Sequence, residues 1–174
     1  MKKPDTLKNQ VKIVYLAIGS NLGDRVKNIN TAKFKLQLNN ILILKCSSNY
    51  ESLSWPNAKH PKFINIVIKV ETLLSEKKLL LVCNRIEGEL GRLRVKKNDP
   101  RTCDIDIIDY NKKVCKIKGK NFLNIPHSEI SKRSFVLLPL YEVSKNWKHP
   151  QTQISILKLI NLLKIDDLIA IKQI

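Results

Sequence analysis

Glycine and proline are scarce, at five and seven in 174 residues, and 43% of the chain is hydrophobic. That composition excludes a collagenous, repeat-built or largely disordered chain. Long apolar runs are lacking too. The run 64–68 is among the longest, and Asn65 interrupts it, whereas a bilayer span needs roughly 20 apolar residues. Cys46, Cys83, Cys103 and Cys115 show no C-x-x-C spacing, and the polar start 1–10 has no apolar signal core. Reduced thiols, a cytoplasmic location and no membrane association are the expectation. Three histidines are too few for a histidine-based metal site, and no G-x-x-x-x-G-K-[ST] loop, G-x-S-x-G elbow or H-E-x-x-H is present. Aromatics are 6% and dispersed, without the paired string of an RNA-binding sheet.

Acidic residues are also few. Fifteen Asp plus Glu against 32 Lys plus Arg leave a formal +17, a field that draws polyanions from nucleotides to nucleic acid. Only six of the cations are arginines, at positions 25, 85, 92, 94, 101 and 133. Arginine reads phosphate through a planar fork, so these six carry more information than the scattered lysines. The abundance of Ile, Asn and Lys reads as drift toward AU-rich codons, which makes part of the charge background.

The length predicts one domain over 1–174, with 1–10 a loose extension, and a monomer. Residues 11–18 are β-branched and stop at Gly19-Ser20-Asn21, a strand and then a turn. Asp24 caps a helix reaching about Asn39, with Ile29, Ala32, Lys33 and Leu36 at helical spacing. Residues 41–50 read as a second strand and 51–60 as a loop. Residues 62–72 alternate as a strand with one core face. Ser75 opens a helix whose stripe Leu79, Val82, Cys83, Ile86 and Leu90 ends at Gly91. A basic loop, a strand over about 103–110, a lysine-rich hairpin around 112–120, a short helical stretch and an amphipathic helix over 154–163 follow. The order strand, helix, strand, strand, helix, strand predicts an α+β, ferredoxin-like (split βαβ) core with a mainly antiparallel sheet.

Asp104 and Asp106 lie two apart in a strand, so both carboxylates project from one face. Such a pair is costly unless a cation joins it, and magnesium carrying nucleotide phosphates suits hard oxygen ligands. A bare D-x-D is equally an edge strand with its polar face in water. Arg101, Arg92 and Arg94 flank the pair, which fits phosphoryl transfer, a chemistry of positioning and charge neutralisation, and fits a structural ion-pair cluster as well. His127 and Arg133 share a loop that either touches phosphate or faces solvent. Phe63 and Asn65 share a strand face on which a flat, hydrogen-bonding heterocycle would fit, unless a helix covers the ring.

Six segments in order, AIGSNLGDR, SSNYES, FIN, IEGELGRLR, PRTCDIDII and IPHSEISKRSFVLLPL, make the chain resemble the 6-hydroxymethyl-7,8-dihydropterin pyrophosphokinase family of folate biosynthesis. The resemblance implies a magnesium-dependent enzyme that transfers the β,γ-pyrophosphoryl unit of ATP to the pterin hydroxymethyl oxygen, giving AMP. It implies Asp104 and Asp106 as ligands of two magnesium ions. Arg92, Arg101, His127 and Arg133 match phosphate contacts, and Asn84 and Ile107 match positions along the nucleotide. Ser52, Leu53, Phe63, Asn65 and Phe135 match the pterin pocket. Glu87 matches a site carboxylate but equally pairs with a neighbouring arginine.

Relatives commonly carry Trp-Gly before the signature proline, and this chain has Asn98-Asp99. A lid aromatic is thereby missing, which implies weaker closure. Trp55 offers either a substitute cover or an ordinary loop anchor. The rival classes are a basic nucleic-acid-binding module, disfavoured by the dispersed aromatics, and a catalytically weakened relative, disfavoured by the two aspartates.

Overall fold

The computed structural model describes residues 10–54, 57–92, 99–117 and 123–174. The elements run β1 (Lys12–Ser20), α1 (Arg25–Leu38), β2 (Leu42–Cys46), β3 (Tyr50–Ser52), β4 (Phe63–Thr72), α2 (Glu76–Glu89), β5 (Asp104–Tyr110), β6 (Cys115–Ile117) and β7 (Leu123–Ile125). A 3-10 turn (Ile130–Lys132) leads to α3 (Ser134–Val143), α4 (Ile156–Asn161), α5 (Ile165–Ile169) and β8 (Ile171–Gln173). The main sheet has the order β5-β1-β4-β3-β8, with β2 also on β4, and each of its pairings is antiparallel. Its centre is the ferredoxin-like arrangement that the element order predicts.

The local causes follow the sequence. Asp24 accepts a hydrogen bond from the Lys27 amide at the start of α1, and Ser75 does the same for the Lys78 amide in α2. Gly91, at φ +82°, ends α2 in the left-handed region. Ile29, Ala32 and Leu36 of α1 and Leu79, Cys83 and Ile86 of α2 are buried on one sheet face, against Val14, Leu16, Ile18, Ile64, Ile66, Ile68, Ile105 and Ile107. On the opposite face α3 and α4 cover Tyr15, Val67 and Ile108 with Val136, Leu137, Leu140, Ile156 and Leu159.

Four local expectations change. The strand expected over 41–50 ends at Cys46, because at Ser47 the hydroxyl accepts from the Val67 amide and interrupts the ladder, and β3 starts at Tyr50 and runs to Ser52, into the expected loop 51–60. β4 is buried on both faces, because α3 packs on the side that alternation alone leaves to solvent. The hairpin strands are β6 and β7, later than expected, with 118–122 outside the described residues. The helix expected over 154–163 is the shorter α4, opened by the Ser155 cap, and α5 and β8 follow it.

A β-bulge in β5 decides where polar groups go. Leu16 pairs with Ile107 and Tyr15 with Asp109, so Ile108 is the extra residue. Ile108 packs under α3, and the neighbouring Asp109 accepts a hydrogen bond from Trp147 Nε1 at 2.9 Å. Asp104 and Asp106, before the bulge, keep strict alternation and face a cleft bordered by Phe135 and Val136 at the start of α3.

Candidate active site

Where α3 stops short, the ends of β1, β4 and β5 form a cleft of about 570 Å³, counting its open mouth. Its floor is Ala17 and Gly19 of β1, Phe63 and Asn65 of β4, and Asp104 and Asp106 of β5. Ser52, Leu53, Arg101, Arg133 and Phe135 complete its lining. The two aspartates do project together from one face, as the two-residue spacing requires.

Asp104 is held by two arginines. Arg92 Nη1 lies 2.5 Å from its Oδ1 and Arg101 Nη2 lies 2.6 Å from its Oδ2. Burial raises the Asp104 carboxyl, and Arg101 and Arg92 more than reverse this, so it titrates below the usual carboxylate range. Asp106 goes the other way. Burial and the Asp104 charge raise it, and His127 and Arg133 offset only part of that effect. Arg133 Nη1 donates to Asp106 Oδ2 at 3.2 Å. The pair is therefore split, with one carboxylate firmly ionised and the other short of positive charge.

His127 Nε2 stands 3.9 Å from Asp106 Oδ2, and His127 Nδ1 accepts from the Glu129 amide. That hydrogen bond leaves the proton on Nε2, facing the carboxylates. Burial lowers the His127 pKa, with Asp106 opposing, so the fold favours the neutral ring. Among the described residues no three His, Cys, Asp or Glu converge as a ready-made metal cage. Two carboxylates alone suit a cation that brings its other oxygen ligands with it, and Asp106 has the charge deficit such a cation would fill.

On the other side of the cleft Asn65 Nδ2 donates to Ser52 Oγ at 2.9 Å, which orients the amide. The guanidinium of Arg101 lies over the Phe63 ring, 5.2 Å from its centroid, and that of Arg133 over Phe135 at 5.8 Å. Two aromatic rings and an oriented amide thus adjoin the charged half directly.

Most expected residues meet here: Ser52, Leu53, Phe63, Asn65, Arg101, Asp104, Asp106, Arg133 and Phe135 line the cleft, and Arg92 and His127 reach it through the aspartates. Two do not. Ile107 is buried among the core residues under α1 and α2, on the face opposite the aspartates, because odd positions of β5 before the bulge point there. Asn84 is half-buried on α2 and outside the cleft lining. Arg94, Asn98 and Trp55 lie outside the described residues.

Two site residues, Gly19 and Asn21, stand in the sequence only as parts of a turn, and Glu87, a site carboxylate by resemblance or an arginine's partner, is here the partner of Arg92. Gly19 leaves room that a Cβ would fill, 3.0 Å from Asn65 Oδ1 and 3.3 Å from Phe63 Cδ1. Asn21 Oδ1 accepts from the Arg101 amide at 2.7 Å while the Asn21 amide donates to the Arg101 carbonyl, fastening the arginine loop to the turn after β1. Glu87, buried on α2, accepts from the Ile105 amide at 2.7 Å and pairs with Arg92 at 2.6 Å, holding both β5 and Arg92. The only signal for these was the Gly-Ser-Asn turn and a carboxylate on an otherwise apolar helix face.

A family model described as 7,8-dihydro-6-hydroxymethylpterin-pyrophosphokinase matches residues 15–145, which hold every one of these groups. The chain belongs to that family. The family's description and its relatives' names describe pyrophosphoryl transfer to hydroxymethyldihydropterin, and the chain spans about a fifth of the length of the longer curated relatives it matches. The chain is 40% identical over 137 residues to the 2-amino-4-hydroxy-6-hydroxymethyldihydropteridine pyrophosphokinase of Aquifex aeolicus, covering 79% of this chain and 83% of that one. It is also 40% identical over 156 residues to the folic acid synthesis protein fol1 of Pneumocystis carinii, covering 90% of this chain but only 20% of that longer protein. Among solved structures, a Plasmodium falciparum HPPK-DHPS variant with pteroate shares the fold at a TM-score of 0.72 and 16% identity, covering 95% of this chain and 47% of that one. No helix among the described residues of this pyrophosphokinase-family chain is long and apolar enough to cross a membrane.

Proposed function

We propose that this chain uses ATP and magnesium to pyrophosphorylate 6-hydroxymethyl-7,8-dihydropterin, and that the cleft at Asp104 and Asp106 is where it does so. The observation that carries this reading is the adjacency of two halves in one cleft. A carboxylate pair ringed by arginines adjoins an aromatic, amide-lined slot, so a phosphate chain and a flat heterocycle can lie end to end.

Phe63 and Phe135 sandwich the pterin, and Asn65, its Nδ2 turned to Ser52, presents its carbonyl oxygen to the ring's N–H edge. Leu53 covers the exposed side. Arg92, Arg101 and Arg133 exchange carboxylate partners for phosphate oxygens as ATP arrives, a step that suits their forked geometry. His127 donates its Nε2 proton toward the same oxygens. Asp104 and Asp106 would hold the two magnesium ions, which supply neutralisation of phosphate charge and acidification of the pterin hydroxyl.

The pterin hydroxymethyl oxygen then forms its bond to the β-phosphorus as the bond from that phosphorus to the α-phosphate oxygen breaks, and AMP departs. The chain's contribution is positioning and charge placement rather than a covalent intermediate. The test is AMP formation from ATP with and without the pterin, with magnesium and after its chelation. AMP formation that depends on both pterin and magnesium, and disappears in Asp104→Ala, supports the reading. Folded protein that makes no AMP defeats it.

A further inference from the structure

The family match ends at residue 145, yet the chain returns to the main sheet after it. β8 pairs antiparallel with β3, setting Ile171 opposite Ser52, Lys172 opposite Glu51 and Gln173 opposite Tyr50. β3 is only three residues long. Its other neighbour is β4, where its register partners include Phe63 and Asn65, the two β4 residues that line the cleft.

A three-residue strand with one neighbour is held by few hydrogen bonds and opens readily. β8 gives this strand a second neighbour. It also adds a side-chain chain of contacts: Gln173 Nε2 donates to Ser48 Oγ at 2.9 Å, and Ser48 Oγ donates to Glu142 Oε1 of α3 at 2.9 Å. Tyr50 Oη donates to Glu142 Oε2 at 2.9 Å, and the Ile174 amide donates to the Asn49 carbonyl. Glu142 of α3 thus ties that helix to Ser48 and Tyr50, and the C-terminal strand fastens the same turn and β3 from the other side. β3 delivers Ser52, and α3 delivers Phe135.

We propose that β8 is a positioning element of the pterin half of the cleft, fixing β3 so that Ser52 orients the Asn65 amide. The inference rests on the pyrophosphokinase reading for the identity of the ligand. It assigns a role to a segment that does not line the cleft. The phosphate half takes its groups from β5, from the loop at Arg101 and from the segment 127–133, none of which pairs with β8.

The experiment compares the full chain with a variant lacking residues 171–174 and with Gln173→Ala, each checked for folding by circular dichroism. Deletion is expected to raise KM for the pterin roughly tenfold or more while KM for ATP moves by less than about threefold, with Gln173→Ala smaller in the same direction. Hydrogen exchange of the amides of residues 50–52 is expected to speed up in both variants. Pterin KM unchanged in a folded deletion variant, or an equal rise for both substrates, overturns the proposal. Should the deletion variant fail to fold, Gln173→Ala decides by the same two readouts. A full-length chain that neither binds nor turns over the pterin instead defeats the functional reading, and the exchange rates then still show whether β8 pins β3.

Discussion

The two faces of the strands β1, β4 and β5 differ in how they are covered. The face under α1 and α2 is apolar through its middle, with Leu16, Ile18, Ile66 and Ile68 fully or almost fully buried. The other face is apolar only where α3 and α4 lie on Val67 and Ile108, and beyond α3 it turns into Phe63, Asn65, Asp104 and Asp106. The same strands therefore do two jobs, with alternation sending one set of side chains to the core and the other to the cleft. The difference teaches that the site is the uncovered remainder of a sheet face. Its position is set by where the second helical layer ends.

This contrast predicts that substitutions one residue apart have separable effects. The largest falls on catalysis. Asp104→Ala should reduce kcat by about 10³-fold or more, since it removes a charge-positioning group and leaves Arg92 and Arg101 without their shared carboxylate. Circular dichroism should show the fold retained, and a variant that keeps a tenth of the parent activity would break the assignment.

Next come the neighbours on β4. Ile66→Ala should destabilise the protein by about 2–5 kcal/mol, as large-to-small changes in packed cores do, with the pterin KM of the folded fraction unchanged. Asn65→Ala should do the reverse, raising pterin KM about 10- to 100-fold for the loss of an oriented polar partner with a small change in melting temperature. Equal stability losses for the two would erase the distinction between the faces.

Gly19→Ala is a milder intrusion. Its Cβ would meet Asn65 Oδ1 at 3.0 Å and the Phe63 ring at 3.3 Å, so pterin affinity should fall by roughly tenfold while ATP affinity holds. Calorimetric titration with each substrate checks this, and unchanged pterin affinity would show that the amide and ring give way without cost.

The smallest effect is on stability against pH. Asp104 titrates below its ordinary range in the fold, so its contribution is present above the unfolded pKa and lost as pH falls through the folded one. Asp106 titrates above its ordinary range, so the fold favours its proton. Its stabilising contribution is complete in acid and disappears as pH rises through the raised value. Asp106→Asn should therefore melt higher than the parent at pH 7 in metal-free buffer, and the gap should close in acid. A lower melting temperature at pH 7 would reverse the assigned direction.

Much of this was legible in the residues. The first strand over 11–18, which pairing with β4 carries on through Gly19 and Ser20, helices α1 and α2 with their Asp24 and Ser75 caps, and the aspartate strand follow from periodicity and caps, which are local properties. β8 was not legible, because Ile171–Gln173 acquires its conformation only by pairing with β3, far away in the chain. Gly19 and Asn21 were read as a turn, and their part in the cleft depends on Asn65 and on the loop at Arg101 arriving beside them.

What the sequence by itself determined was the alternation that places Asp104 with Asp106 and Phe63 with Asn65, since a two-residue period needs no partner to define a face. Tertiary structure alone decided which face became core and which became cleft. That choice depends on how far α3 extends over the sheet, on the bulge at Ile108, and on Glu87 and Asn21 fastening the arginines from separate elements. Burial and charge pairing between distant segments are non-local energies, and they acquire values only once the chain has folded.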